Sequence, residues 1–210
     1  MSHPRRFRFG VQCATATSGD EWAATARRAE DLGYDTLHLP DHFGDQLAPI
    51  PAMMAAAAAT TRLRVGALVF DNDYKHPVVL AKELATIDRL SGGRVEIGLG
   101  SGWMATDYAQ SGIPYDAPKV RVDRFEEGLQ VILGLLGPEP VTFEGEHYQI
   151  TGLDGLPKPV QSPRPPILIG GGKKRMLTLA GRHADIVGIN PTMPNGAADA
   201  DAAATGTPEE

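Results

Sequence analysis

Cysteine is almost absent from this chain of 210 residues. Cys13 stands alone, which excludes an intramolecular disulfide and any cysteine-cluster metal site, and a lone thiol after a strand reads as a packed core group rather than a nucleophile. Long apolar runs are missing too. No stretch approaches the roughly 18 residues of a membrane-spanning helix, and the start, MSHPRRFRFG, lacks the apolar middle of a signal peptide, so a cytoplasmic protein with no membrane partner is expected. Nor is there a basic run. The net charge of -6 argues against a nucleic-acid surface and leaves a small molecule as the expected partner. What remains is an ordinary globular composition, 42% hydrophobic and 22% charged, long enough to bury a substantial core.

The most informative stretch is residues 91–103, SGGRVEIGLGSGW. Gly92 and Gly93 stop a helix, residues 94–99 read as a short strand apolar on both faces, and Gly100, Ser101 and Gly102 deliver Trp103. A strand of that kind suits a parallel sheet covered on both sides, and glycines at its carboxyl end give a flat ligand room to approach.

Around it the chain keeps a strict rhythm. Residues 7–12 (FRFGVQ) form a first strand; Asp20 reads as the N-cap of a helix carrying Trp22, Ala26 and Ala29, which Gly33 closes. Residues 36–39 form a second strand ending in Pro40, Asp41 and His42. An alanine-rich helix follows Pro49, residues 62–70 form a third strand, and Pro77 opens a helix with Leu80, Leu84 and Ile87 on one face. After the fourth strand a longer helix from Lys119 buries Phe125, Leu129, Ile132 and Leu136 and turns Arg121, Arg124, Glu126 and Glu127 outward as a solvated face. Residues 141–150 (VTFEGEHYQI) are a β-hairpin insertion turning at Gly145. Residues 167–169 and 184–189 are the fifth and sixth strands, flanking a helix that starts near Met176. Six βα repeats indicate a parallel α/β architecture, a barrel or a doubly wound sheet, over residues 1–190. Residues 191–210 have almost no large apolar side chain and read as a disordered tail.

Gly170, Gly171 and Gly172 before a helix with two lysines in its first turn suit a phosphate, because the first amides of a helix point at an anion. Neither this run nor residues 98–102 has the spacing of a Walker or dinucleotide fingerprint. A metal site at His38, Asp41 and His42 is poorly supported, since no second carboxylate is near in sequence; no metal is expected. His42, past the end of a strand, is the candidate for proton transfer, with a plain surface histidine as the competing reading. Trp103 is either a stacking wall for a planar ring or a core aromatic.

Together these pieces resemble the bacterial luciferase-like monooxygenase superfamily and, within it, the flavin- or deazaflavin-dependent oxidoreductases. The resemblance rests on Leu39-Pro40-Asp41-His42, on RVGALV at residues 64–69, and on His76-Pro77. It rests above all on Asp88-Arg89-Leu90-Ser91-Gly92-Gly93-Arg94 leading to Gly98-Leu99-Gly100-Ser101-Gly102-Trp103, and on PPILIGG at residues 165–171. It implies a TIM (β/α)8-type barrel with its site at the carboxyl face, and coenzyme F420, or alternatively FMN, lying across it. It further implies a non-prolyl cis peptide within residues 67–70, Ala67, Leu68 and Val69 pressing on the cofactor ring, Asp41 and His42 beside it, Ser101, Gly102 and Trp103 against the ring system, and Gly170, Gly171 and Gly172 on the phosphate. The implied reaction is hydride transfer between coenzyme F420 and an organic substrate, with FMN-dependent oxygenation as the alternative. A sugar-phosphate dehydrogenase of the superfamily has glutamate where Trp103 stands, which argues against that substrate.

Family chains are longer. Six strands leave the first and sixth with open edges, so a homodimer pairing such edges is one expectation, and a non-catalytic, truncated family member is the rival to the enzyme.

Overall fold

The computed structural model describes residues 7–191. In chain order the elements are β1 (Gly10–Gln12), α1 (Gly19–Asp31), β2 (Thr36–Leu39), α2 (Pro49–Ala59), β3 (Arg64–Ala67), β4 (Phe70–Asp71) and α3 (Pro77–Ser91). The chain continues through β5 (Val95–Gly100), α4 (Ala105–Ser111), α5 (Pro118–Leu136), the strands β6 (Val141–Glu144) and β7 (Gln149–Leu153), then β8 (Ile167–Gly171), α6 (Lys174–His183) and β9 (Ile186–Ile189). One all-parallel sheet has the order β1-β2-β3-β5-β8-β9, with β4 also beside β5, and β6-β7 form a separate antiparallel pair. The described residues hold five strand–helix units and a sixth strand rather than six full units; the expected tail lies, apart from Pro191, outside them. Among the described residues β1 and β9 each pair with one neighbour, and Phe7, Phe9 and Ile189 near these edges are exposed.

Local chemistry explains the helices. Ser18, not Asp20, caps α1: its side chain accepts from the Glu21 amide, while Asp20 and Glu21 place negative charge in the first turn. Trp22 of α1 is buried and donates its indole N–H to the Ala52 carbonyl of α2 at 2.8 Å, so its polar edge is satisfied within the core. In α3, Pro77 occupies the first turn, the His76 ring accepts from the Val78 amide, and Gly92 ends the helix at φ 69°. Leu80, Leu84 and Ile87 bury one face, each contributing about 2 kcal/mol.

The stretch from Asp88 to Arg94 is a clamp rather than a ligand contact. The Asp88 carboxylate, fully buried, accepts from the amides of Val160 and Gln161 and from the Gln161 side chain, fixing the proline-rich connection into β8. Arg94 donates to the carbonyls of Ala57, Leu63 and Ser91. Glu127 of α5 does the same for the hairpin, accepting from the amides of Glu146, His147 and Tyr148 instead of facing solvent.

The third strand is broken. It was expected over residues 62–70 but stops at Ala67 and resumes at Phe70, and the Leu68–Val69 peptide between is cis, within the span implied by the resemblance. Val65 pairs with Val95 and Phe70 with Leu99, so one residue more is used on this strand than on β5. That extra residue reverses which face each later side chain takes.

Candidate active site

A cavity of about 420 Å³ opens at the carboxyl ends of the strands. Its wall is built from Asp41 and His42 after β2, Leu68 and Val69 in the break, Ser101, Gly102 and Trp103 after β5, and Gly170, Gly171 and Gly172 around the end of β8. All of these were singled out in the sequence. Ala67 is the exception: it is fully buried beneath the wall, where its carbonyl packs against Gly98.

The glycines also serve the packing of the chain itself. A Cβ at Gly98 would fall 2.0 Å from the Ala67 carbonyl oxygen and 3.3 Å from the Val69 side chain, and one at Gly100 or Gly170 would stand 2.6 and 3.3 Å from Val69, so these residues make room for the chain's own break. At Gly102, φ is +77° and a Cβ would meet the Tyr108 hydroxyl at 1.8 Å and the Asp71 carboxylate at 2.6 Å. Gly171 is needed for the close approach of Met176 in α6.

On one side the cavity is acidic. His42 Nδ1 lies 2.7 Å from Asp107 Oδ2, and the Tyr74 hydroxyl donates to the same oxygen at 3.0 Å. A carboxylate only accepts, so the proton of that contact sits on Nδ1, and the tautomer it fixes presents Nε2 as the acceptor when the ring carries one proton. The Trp103 ring meets His42 edge-on with centroids 5.4 Å apart. Asp41 accepts from the Asp71 amide, and burial raises its pKa above the ordinary aspartate value. Burial pushes Asp71 further, to about 7. Burial also raises Tyr74 and Tyr108, helped by the neighbouring Asp71, so both phenols keep their protons.

The other side is basic. Lys119, Arg121, Lys173 and Arg175 contribute to the wall, Lys119 paired with Asp123 and Arg175 with Asp123 and Glu126, and α6 begins there with no side-chain cap and no acidic residue in its first turn. Its first amides are therefore left for an anion. Arg121, expected to be solvated, is buried: it donates to the Gly102 carbonyl at 2.6 Å and lies 4.3 Å over the Tyr115 ring. Arg124 is likewise turned inward, donating to Asp73 at 2.8 Å and pairing with Asp116.

With this geometry in place, sequence comparison is decisive. Residues 6–205 match the family described as luciferase-like monooxygenase. The chain belongs to that family. An F420-dependent glucose-6-phosphate dehydrogenase of Amycolatopsis mediterranei is 32% identical, over 76% of this chain and 50% of that protein. An FMNH(2)-dependent dimethylsulfone monooxygenase of Pseudomonas putida is 33% identical, over 62% of this chain and 36% of that protein. The solved structure of the coenzyme F420 dependent tetrahydromethanopterin reductase from Methanopyrus kandleri superposes with a TM-score of 0.79 at 25% identity, over 88% of this chain and 56% of that one. The parallel sheet is thus part of a luciferase-like TIM-type barrel, and the chain spans about half the length of such relatives.

For a luciferase-like protein the residues present fit a planar cofactor with an anionic tail. The uncapped start of α6 and the basic wall suit the tail, and the Leu68–Val69 shelf and Trp103 suit the ring. Sequence reasoning missed Asp71, Tyr74 and Asp107. Asp71 and Tyr74 fall in the connection between the third strand and Pro77, where no site residue was expected, and Asp107 sits on the unanticipated α4, 65 residues from its partner His42. An aspartate two helical positions into α4, soon after the glycine–tryptophan run, was the available signal.

Proposed function

We propose that the chain forms the cofactor seat of an oxidoreductase that passes a hydride between coenzyme F420 and an organic substrate. The observation that carries this reading is the convergence, in one cavity, of an oriented histidine and an uncapped helix start beside basic side chains. The bound deazaflavin would supply the two-electron chemistry. Gly170, Gly171, Gly172 and Lys173 would hold its anionic tail, and Leu68, Val69, Ser101, Gly102 and Trp103 would bound the ring. His42 Nε2 takes a proton from a substrate hydroxyl in the oxidising direction and returns it in the reducing one. Asp107 keeps the ring in the tautomer that this requires, and Tyr74 holds Asp107.

A second reading is supported by the identity to the FMNH(2)-dependent relative: an FMN-dependent monooxygenase using molecular oxygen. Titrating the purified chain with coenzyme F420 and with FMN, following tryptophan emission, separates the two. A response to coenzyme F420 alone supports the first reading, and a response to FMN alone or a yellow preparation supports the second. No response to either, together with self-association in sedimentation, would leave the non-catalytic family member as the better account. Given a response, His42→Ala should cut turnover by about 10²-fold or more, as expected for loss of a general acid–base group.

A further inference from the structure

Behind the cavity wall one phenol bridges two carboxyl groups. The Tyr108 hydroxyl lies 2.9 Å from Asp71 Oδ2 and 3.0 Å from Asp73 Oδ2. A phenol has one proton and can donate to only one of them, so the other contact needs a proton carried by a carboxyl. Asp73 is the one whose charge is matched, because Arg124 donates to its Oδ1 at 2.8 Å. Asp71 has no cation within ion-pair distance among the described residues. Its Oδ1 accepts from the Asp73 amide and its own amide donates to Asp41. The other charged groups around it are acidic or already engaged: Asp41 precedes it in the wall, Asp107 is held by His42 and Tyr74, and Lys75 is paired with Glu83. Gly102 leaves space for this contact, since any Cβ there would fall on both the carboxylate and the phenol.

We infer that Asp71 holds this proton against Tyr108 and is a second proton-transfer residue of the cavity, separate from His42. When it acts, the Asp71 O–H bond breaks and a bond forms to a basic oxygen or nitrogen of a ligand seated on the wall. The carboxylate left behind is stabilised as Tyr108 turns its hydroxyl from Asp73 to Asp71, with no bond of the phenol broken and Asp73 still matched by Arg124. Burial, which pushes Asp71 up to about 7, is consistent with this exchange near neutral pH. The transfer step rests on the proposed cofactor-binding function; the position of the proton does not.

The test follows the aspartate side-chain carboxyl resonances of the 13C-labelled full chain without ligand, assigned by Asp71→Asn. A midpoint near neutrality is expected, moving up in Tyr108→Phe, where the ionised form has lost its donor. A midpoint in the ordinary aspartate range, about 4, overturns the inference. The pH dependence of FMN and coenzyme F420 binding should show the same midpoint and lose it in Asp71→Asn, while His42→Ala keeps it; an unchanged profile in Asp71→Asn overturns the transfer role. If neither cofactor binds but the carboxyl titrates near neutrality, the oxidoreductase reading fails and the position of the proton stands.

Discussion

The two ends of the sheet treat buried charge in opposite ways. At the amino ends of β2, β3 and β5, Glu96 is almost fully buried, yet Arg8 pairs with it, Arg64 Nε lies 2.9 Å away, and the Thr36 hydroxyl donates to it at 3.2 Å. Next to this group His38 is held largely out of solvent, and burial lowers its pKa. At the carboxyl ends Asp41, Asp71 and Asp107 have hydroxyls, amides and an imidazole as partners, and no guanidinium reaches any of them among the described residues. One end is neutralised by its own chain and the other keeps proton-bearing groups beside a cavity. A matched ion pair fixes a structure, whereas unmatched carboxyls can exchange protons with a ligand.

Breaking the matched end should have the largest effect. Glu96→Ala removes the buried anion shared by the partly exposed Arg8 and Arg64, and the loss of such a partner costs up to about 3–5 kcal/mol. Urea unfolding should register a fall of that size with little change in the cavity's ligand contacts. The unmatched end should respond through pH instead. Asp71 is raised in the folded chain to about 7 from an ordinary value of 3.8. The folded state therefore keeps a proton that the unfolded chain has released between those values, and stability falls as pH rises through this window, then levels off above it. Asp71→Asn, which cannot ionise, should gain on the parent chain by up to about 4 kcal/mol as pH climbs from 4 to 8. Parallel pH curves for the two would show that the carboxyl is not the proton-holding group.

Sequence patterns carried the parallel rhythm, the helix stops and the cavity-lining loops, because each depends on neighbours within a few residues. They failed where the partner is distant. Arg121, Arg124 and Glu127 have the spacing of a solvated helix face, but their partners are Gly102, Asp73 and the hairpin turn, brought there by the fold. The third strand read as continuous because no residue pattern in RVGALVF marks the break at Leu68–Val69, and only the family resemblance implied a cis peptide there. Its signature lay elsewhere, in glycines 98, 100 and 170, each of which also leaves room for the Val69 side chain.

The contrast between the ends also gives an activity prediction. Asp107→Asn keeps the size of the His42 partner but offers an amide that can donate, so the ring loses its imposed tautomer. Turnover should fall about 10²-fold, equivalent to about 2.7 kcal/mol of barrier, with KM nearly unchanged. A parallel rise in KM would mean that Asp107 shapes the binding surface rather than the proton-transfer group.

The smallest effect sharpens the comparison at the helix starts. α1 is capped by Ser18 and carries Asp20 and Glu21 in its first turn, whereas α6, which opens on the cavity, has Lys173 at the cap position and no acid in the turn that follows. An uncapped start forgoes stabilisation that a short polar side chain would supply, so Lys173→Asp should raise stability by about 0.5–1 kcal/mol through the cap and the helix dipole. The same change puts a carboxylate where an anionic tail would rest, so affinity for a phosphate-bearing cofactor should drop at least tenfold. Opposite signs for folding and binding would mark the α6 start as an anion seat kept open at the expense of the helix. A gain in stability with unchanged affinity would mean that the tail lies elsewhere, and the basic wall formed by Lys119 and Arg175 would be the next place to probe.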